Sequence, residues 1–452
     1  MWEQTIRGEY RSACGCFSEV TYTHVTKIVF LIALSWTTAS AFVQQRGEEN
    51  VAAETRLGMI AAEANKLKEA ERHFAAAASL APSNPSTRNN YGAILLRLGR
   101  TAEARAQFEA SLALNPDQPN ALTNLAQIYF ERGQPDDLRL ALGLLERAAK
   151  NNSDPEISNA LVTTYLKLAQ VLMEKDVRAA GRMLETAVAS GLDDAKIYAA
   201  LADVYQADGR FENAIPAMRL AIQRDPRNEI YYFRYGLLLV DSHAPAAGIL
   251  RLQEALEQFP NSARLWLALG IAQFTHGQNV EAENSFKRSL ALDAKLAPAL
   301  AYLGVTYAER GLYDKAISFY EQAITLNAQI AALYYLAADT MLKTSNADTT
   351  RAEKYLKRAT DLDPALAAAY LVWGRLYVRA NRYREAAPLL ERAVSLQPEL
   401  VEAHYQLSQV LVKLKRTDEA NRELEIFKQL SAKQKARNEP RDIARRLANV
   451  RF

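Results

Sequence analysis

Residues 297–330 read APALAYLGVTYAERGLYDKAISFYEQAITLNAQI. Within them Leu303-Gly304, Tyr307, Gly311, Tyr313, Ala316, Tyr320 and Ala323 set an order of large, small and turn residues. Residues 85–118 repeat that order with Tyr91-Gly92, Leu95, Gly99, Ala104, Phe108, Ser111 and Pro116. Working outward, a small residue returns mostly every 34 positions, at Gly58, Gly92, Ala126, Ala202, Gly236, Gly270, Gly304, Ala338, Gly374 and Ser408. A period of this length predicts a helical solenoid, in which each unit buries its apolar face only by stacking on its neighbours.

The spacing inside a unit predicts two helices that fold back on each other. Ala70, Ala104, Ala141, Ala180, Ala214, Gly248, Ala282, Ala316, Ala352, Ala386 and Ala420 share one place on the second helix, where a larger side chain would hold the pair apart. Four residues on, Phe74, Phe108, Leu145, Leu184, Met218, Leu252, Phe286, Tyr320, Leu356, Leu390 and Leu424 supply buried area. Each such side chain is worth roughly 1.5–3 kcal/mol when fully buried. Gly99, Gly133, Gly209, Gly277 and Gly311 stand between the helices, where a positive φ ends the first one without steric cost, and Asn65 and Asn381 substitute for glycine there. Pro82, Pro116, Pro226, Pro260, Pro364 and Pro398 close units, because proline has no N–H to continue a helix. Asp241-Ser-His-Ala-Pro245 replaces one turn glycine, and Phe427 at the last unit reads as an end effect.

These residues resemble the tetratricopeptide repeat, whose pattern runs W-x2-L-G-x2-Y, then A-x3-F, then P. The resemblance covers 51–434, eleven units of 34 plus ten extra residues, placed near 134–140, ahead of Ala180 and near 345–350. It implies an all-α fold, a right-handed superhelical solenoid of about eleven helix-turn-helix repeats. The chain then divides into a leader (1–41), a short linker (42–50), the solenoid (51–434) and a basic C-terminal capping segment (435–452).

The resemblance also implies that the first helices line a concave groove whose inward places meet a partner. In this sequence those places hold Phe130, Asp203, Phe233, Phe274, Tyr335, Arg375, Arg379, Tyr405 and Lys413, a mixture of aromatic anchors and charges suited to binding hot spots. Acidic groove residues (Glu63, Glu131, Asp203, Asp241, Glu309) fall in the N-terminal and middle parts, and basic ones (Lys343, Arg375, Arg379, Lys413) toward the C-terminal end. An extended peptide with an acidic stretch is the expected occupant of that basic end. The Lys/Asn clamp that some family members use for a terminal carboxylate is incomplete, since Asn90 and Asn124 fit it but Thr55 and Met59 stand where its Lys and Asn would be.

Outside the repeats, Lys27, the apolar run Ile28–Leu34 and Ala39-Ser-Ala41 follow the order of a secretory signal, predicting cleavage after Ala41. The run is too short to span a bilayer, which takes about 20 residues. The stretch ahead of Lys27, with Glu3, Glu9 and Glu19, is unlike a signal n-region, and initiation at Val20 or Val25 would give a compact one. Cys14 and Cys16 are too closely spaced for a zinc pair, and a chain cleaved after Ala41 has no cysteine. At the other end, twelve Lys or Arg stand against six Asp or Glu from Lys413 to Phe452, the composition of a polar cap or of a contact to an anionic surface.

No phosphate-binding loop, dinucleotide fingerprint, metalloprotease motif or nucleophile elbow occurs, and the five histidines fall in different units or in the leader. No cofactor, metal site or catalytic residue is therefore expected. A net charge of +3 from 55 basic and 52 acidic residues gives no footprint for nucleic acid. Two readings remain: a non-catalytic scaffold, exported to the envelope or secreted, that holds a partner protein or peptide, and a regulatory or substrate-recruiting subunit of an enzyme complex whose catalysis lies on another chain. Membrane contact, if any, would run through the leader or the basic C-terminus.

Overall fold

The computed structural model describes residues 45–150, 152 and 154–437. The signal and its cleavage site, Cys14 and Cys16, and the far end of the basic C-terminal segment lie outside them. Among the described residues every regular element is an α-helix, so the fold is all-α, as the repeat pattern predicts. None of these helices is long and apolar enough to cross a membrane.

Two compact units divide the chain, residues 1–176 and 177–452. The first contains α1 (45–63), α2 (Leu67–Leu80), α3 (Pro85–Arg97), α4 (Thr101–Leu114), α5 (Pro119–Arg132), α6 (Pro135–Ala149) and α7 (Pro155–Met173). The second begins with α8 (Val177–Ala189), α9 (Ala195–Ala207), α10 (Phe211–Arg224), α11 (Glu229–Asp241), α12 (Pro245–Gln258), α13 (Ala263–His276) and α14 (Asn279–Leu292). It continues with α15 (Ala297–Glu309), α16 (Tyr313–Leu326), α17 (Ala331–Met341), α18 (Thr349–Leu362), α19 (Ala367–Arg379), α20 (Tyr383–Leu396), α21 (Val401–Lys413) and α22 (Thr417–Arg437).

Six of the pairs close on a glycine facing a large side chain, at Gly58, Gly92, Gly236, Gly270, Gly304 and Gly374. A Cβ built on Gly304 would stand 2.4 Å from the Tyr320 ring, and one on Gly270 2.5 Å from that of Phe286. Only a residue without a side chain lets the two helices approach so closely. The small residues of the second helices, such as Ala104, Ala282 and Ala352, are fully buried. Serines in a nearby small-residue place remain satisfied: Ser111 and Ser289 Oγ each donate at 2.7 Å to the carbonyl that opens the first helix, Pro85 O and Ala263 O.

The turns follow a Schellman pattern. The predicted glycines have positive φ, from 70° at Gly133 to 90° at Gly277, and so do Asn65 and Asn381. His243 (φ 61°) and Lys415 (φ 61°) take the same left-handed conformation without glycine. The residue after the turn donates back across it, as Arg210 N does to Tyr205 O (2.8 Å) and Ala244 N to Leu239 O (2.9 Å). The 241–245 segment thus keeps the turn geometry although it lacks the turn glycine.

Candidate partner-binding surface

In the second unit, successive first helices touch across the repeats, α11 with α13, α13 with α15, α15 with α17, α17 with α19 and α19 with α21, while the second helices approach one another less. The first helices therefore form the inner side of the curve, and their inward places vary along it. On α13 and α15 most of those places are sealed: Leu267, Ile271, Phe274, Pro298, Ala301 and Val305 are buried, while Glu309 at the end of α15 is exposed. Leu237 of α11 packs against the same cluster. Tyr302 is buried there too, and burial, with the charge of Asp241 added, pushes its hydroxyl far above the ordinary range.

Toward α21 the inner side opens and becomes polar. Tyr335 and Asp339 of α17 are half-buried, and Asp339 Oδ2 lies 2.6 Å from Lys343 Nζ. Arg375 of α19 pairs with Glu402 of α21 at 3.1 Å. Arg379 donates to Leu342 O at 3.0 Å, setting its charge on the C-terminal end of α17. Tyr405 is 38% exposed and its ring lies 5.1 Å from that of Phe427 on α22. Val412 is 60% exposed beside the exposed Lys413. Neither Arg379 nor Lys413 forms an ion pair among the described residues.

Of the nine residues expected to face a partner, Tyr335, Arg375, Arg379, Tyr405 and Lys413 share this α17–α21 stretch. Phe274 is corrected, because its side chain is completely buried and presents nothing to a partner. Asp203 of α9 is engaged by Arg234 of α11, whose guanidinium also donates to Ala199 O at 2.9 Å. Phe233 is half-buried on α11. Phe130 belongs to the first unit, where Lys167 Nζ lies 4.1 Å over its ring and donates to its carbonyl at 2.9 Å. In that unit a surface cavity of about 450 Å³ opens beside Met59, Glu63, Asn90 and Arg97. The carboxylate clamp is not assembled there: Asn124 Nδ2 donates to Asn89 Oδ1 at 3.0 Å, and the Thr55 hydroxyl to Val51 O at 2.8 Å.

Sequence reasoning missed a seam that ties four of the second helices, α6, α8, α14 and α18, to the following pair. Tyr307 Oη donates to Glu283 Oε1 at 2.7 Å, and Arg310 and Lys287 meet the same carboxylate. Tyr377 with Glu353 (2.6 Å), Tyr205 with Glu185 (2.9 Å) and Tyr165 with Glu146 (2.5 Å) repeat it. Arg210 and Arg382 add their guanidinium planes 4.4 and 3.9 Å from the Tyr205 and Tyr377 rings. Lys287, then Tyr307 and Arg310, hold the Glu283 carboxyl down to about 2. The available signal was an arginine just after the turn residue, at Gly99-Arg100, Gly209-Arg210, Asn381-Arg382 and Lys415-Arg416.

Three family profiles described as tetratricopeptide repeat match the chain, at residues 95–137, at 195–228 and 297–330, and at 234–297 and 371–425. The chain carries tetratricopeptide repeats. Such repeats are generally a non-catalytic protein-binding scaffold, and the profiles indicate no catalytic family. Among solved structures, yeast Tom70 is similar at 17% identity over 89% of this chain and 99% of its own, with a TM-score of 0.43. MamA matches at 23% identity over 37% of this chain and 97% of its own (TM-score 0.34), and the P58(IPK) TPR domain at 17% over 81% and 99% (TM-score 0.33). No curated protein matches significantly.

Proposed function

We propose that this tetratricopeptide-repeat chain is a non-catalytic scaffold that holds an extended, acidic segment of a partner protein against the inner side of α17–α21. The observation that supports this is the juxtaposition of exposed Tyr405, Val412 and Lys413 with Arg379, on an inner side whose α13–α15 part is mostly filled by the chain's own side chains. Apolar and aromatic surface would supply affinity, and two cations without carboxylate partners would select acidic residues. Arg375 contributes less, because Glu402 occupies it. Calorimetry with a glutamate-rich extended peptide and a neutral peptide of equal length tests this. Arg379→Glu with Lys413→Glu should weaken acidic-peptide binding about tenfold or more at low salt and less at high salt. Equal binding of both peptides, or no effect of the double reversal, overturns the acidic specificity.

We also propose export, supported by the order Lys27, Ile28–Leu34, Ala39-Ser-Ala41. Mass spectrometry of the native protein should find an N-terminal peptide beginning at Phe42 in an envelope or secreted fraction. An intact leader in the cytosol refutes it.

A further inference from the structure

Interior first helices turn one face to the second helix of the unit before them. On α15 that face is marked by Tyr302, whose ring stacks on that of Phe286 of α14 at 5.4 Å, and Leu303 and Thr306 are buried on the same side. Counted from the small residue Gly304, Leu303 stands one place before and Thr306 two places after. Other interior units fill the first place with Leu201 or Leu407 and the second with Val204 or Val410, all of them buried.

In α1 the same two places hold Leu57 and Ile60, and there they are 46% and 56% exposed. Ala53, a turn earlier, and Ala64, at the turn that follows, are exposed as well. An apolar stripe at i, i+4, i+7 and i+11 thus runs along the free face of the first helix. The other end of the array is finished differently. Eight places beyond the small alanine, interior second helices carry Leu290, Ile324 and Val394, packed on the core, whereas α22 carries exposed Lys428. Exposed Glu425 takes the place from which Glu391 of α20 reaches Arg416. A terminal repeat needs a polar outer face to stay in solution; α22 has one and α1 has not.

Three occupants could cover the α1 stripe: chain ahead of it, the α22 end of another copy, or the α1 end of another copy. The export reading removes the first, since cleavage after Ala41 leaves only Phe42, Val43 and Gln44 ahead of α1. The α22 end fails on chemistry, because Glu425 and Lys428 would lose water against leucine and isoleucine. The α1 end fits itself. Exposed Glu48 and Glu49 stand where α1 begins, and exposed Lys66 and Lys68 follow where it ends. Antiparallel packing lays Leu57 of each copy on Ile60 of the other and brings each acidic end to the other's basic end. Parallel packing would set like charges together. A two-fold interface requires this kind of self-complementarity.

We propose that the chain forms a two-fold dimer through the face of α1 that carries Leu57 and Ile60, antiparallel to its copy. The proposal rests on the cleavage proposed above, which uncovers that face. The dimer would present two α17–α21 surfaces, so a partner with two acidic segments would be held more firmly than by either surface alone.

Sedimentation equilibrium of the chain beginning at Phe42 tests it. The range is about 1–100 µM, because one helix per side makes an interface small beside the roughly 800 Å² per partner of standard complexes. A monomer–dimer equilibrium is expected, and Leu57→Asp with Ile60→Asp should leave monomer at every concentration. Both side chains are exposed, so that variant should keep the wild-type urea midpoint. Should it not, a charge swap decides: Lys66→Glu with Lys68→Glu should weaken the dimer about tenfold at low salt, and adding Glu48→Lys with Glu49→Lys should restore it. A chain that stays monomeric, growth into longer polymers, a dimer indifferent to the folded aspartate variant, or a swap that restores nothing overturns the proposal. Mass spectrometry of the native protein keeps the two readings apart. A retained leader on a native monomer, beside a dimer from Phe42, refutes cleavage and leaves the α1 face standing.

Discussion

The inner sides of α13–α15 and of α17–α21 differ in how far the chain covers them. On α13 and α15 Leu267, Ile271, Phe274, Pro298, Ala301 and Val305 are buried, with Glu309 exposed at the end of α15; on α19 Leu371 is buried, but Arg375 is half-buried and Arg379, Tyr405 and Lys413 are exposed. Both stretches use the same close contact between a glycine and a large side chain of the paired helix, as at Gly304 with Tyr320 and Gly374 with Leu390. The difference therefore lies in the inward side chains, since α13 and α15 approach each other no more closely than α19 and α21 do. Apolar inward residues are covered by their neighbours, whereas charged and aromatic ones keep part of that side in contact with solvent. One repeat geometry thus yields a structural rib and a presenting surface, selected by a few residues per helix.

Phe274→Ala should break the comparison most severely. The ring is fully buried, so its loss costs a transfer term plus a cavity, about 3–5 kcal/mol. Chemical unfolding of the second unit should shift to markedly lower denaturant. If the variant unfolds like wild type, the α13–α15 side is not packed as described, and Phe274 returns to the candidates for partner contact.

An acid titration sharpens the comparison at intermediate size. Glu283 of α14 is held down to about 2 by Lys287 of its own helix, then by Tyr307 of α15 and Arg310 just beyond it. A depressed carboxyl contributes stability that is complete above the ordinary glutamate value, near 4.3, and is lost as pH falls toward its folded value. Wild type should thus lose stability between pH about 5 and about 2 more steeply than Glu283→Gln, which has no proton to take up there. Urea midpoints across that window provide the check, and parallel curves would show that the seam contributes nothing to coupling α14 and α15.

The fold was legible because its cause is local. Gly304 needs no side chain because Tyr320 lies against it, and Gly311 ends α15 with a positive φ, both effects of residues near in sequence. His243 and Lys415 escaped because a turn held by backbone hydrogen bonds on both sides tolerates a left-handed residue that is not glycine. The candidate surface was only partly legible. The groove places were found by their offset from the small residue, but burial of Phe274 depends on how closely α11, α13 and α15 pack, and that sums over three repeats. Likewise Arg382 meets Glu353 from 29 positions away, and His404 meets Glu423 from 19, pairs that no motif marks.

The smallest change in stability is expected where binding should change most. Tyr405→Ala and Val412→Ser each remove exposed apolar surface from the end of the array, so unfolding should move within about 0.5 kcal/mol of wild type. Tyr405 has Phe427 beside it, which places its variant at the upper edge of that range. The same substitutions should weaken the glutamate-rich peptide measurably, since a partly exposed aromatic is the kind of anchor that carries interface energy. A scaffold divided into rib and presenting surface predicts this separation: stability without binding lost at Phe274, binding without stability lost at Tyr405. Equal losses of stability from the two residues would show that the α17–α21 side is a weaker version of the same core, and the assignment of a partner to it would fall.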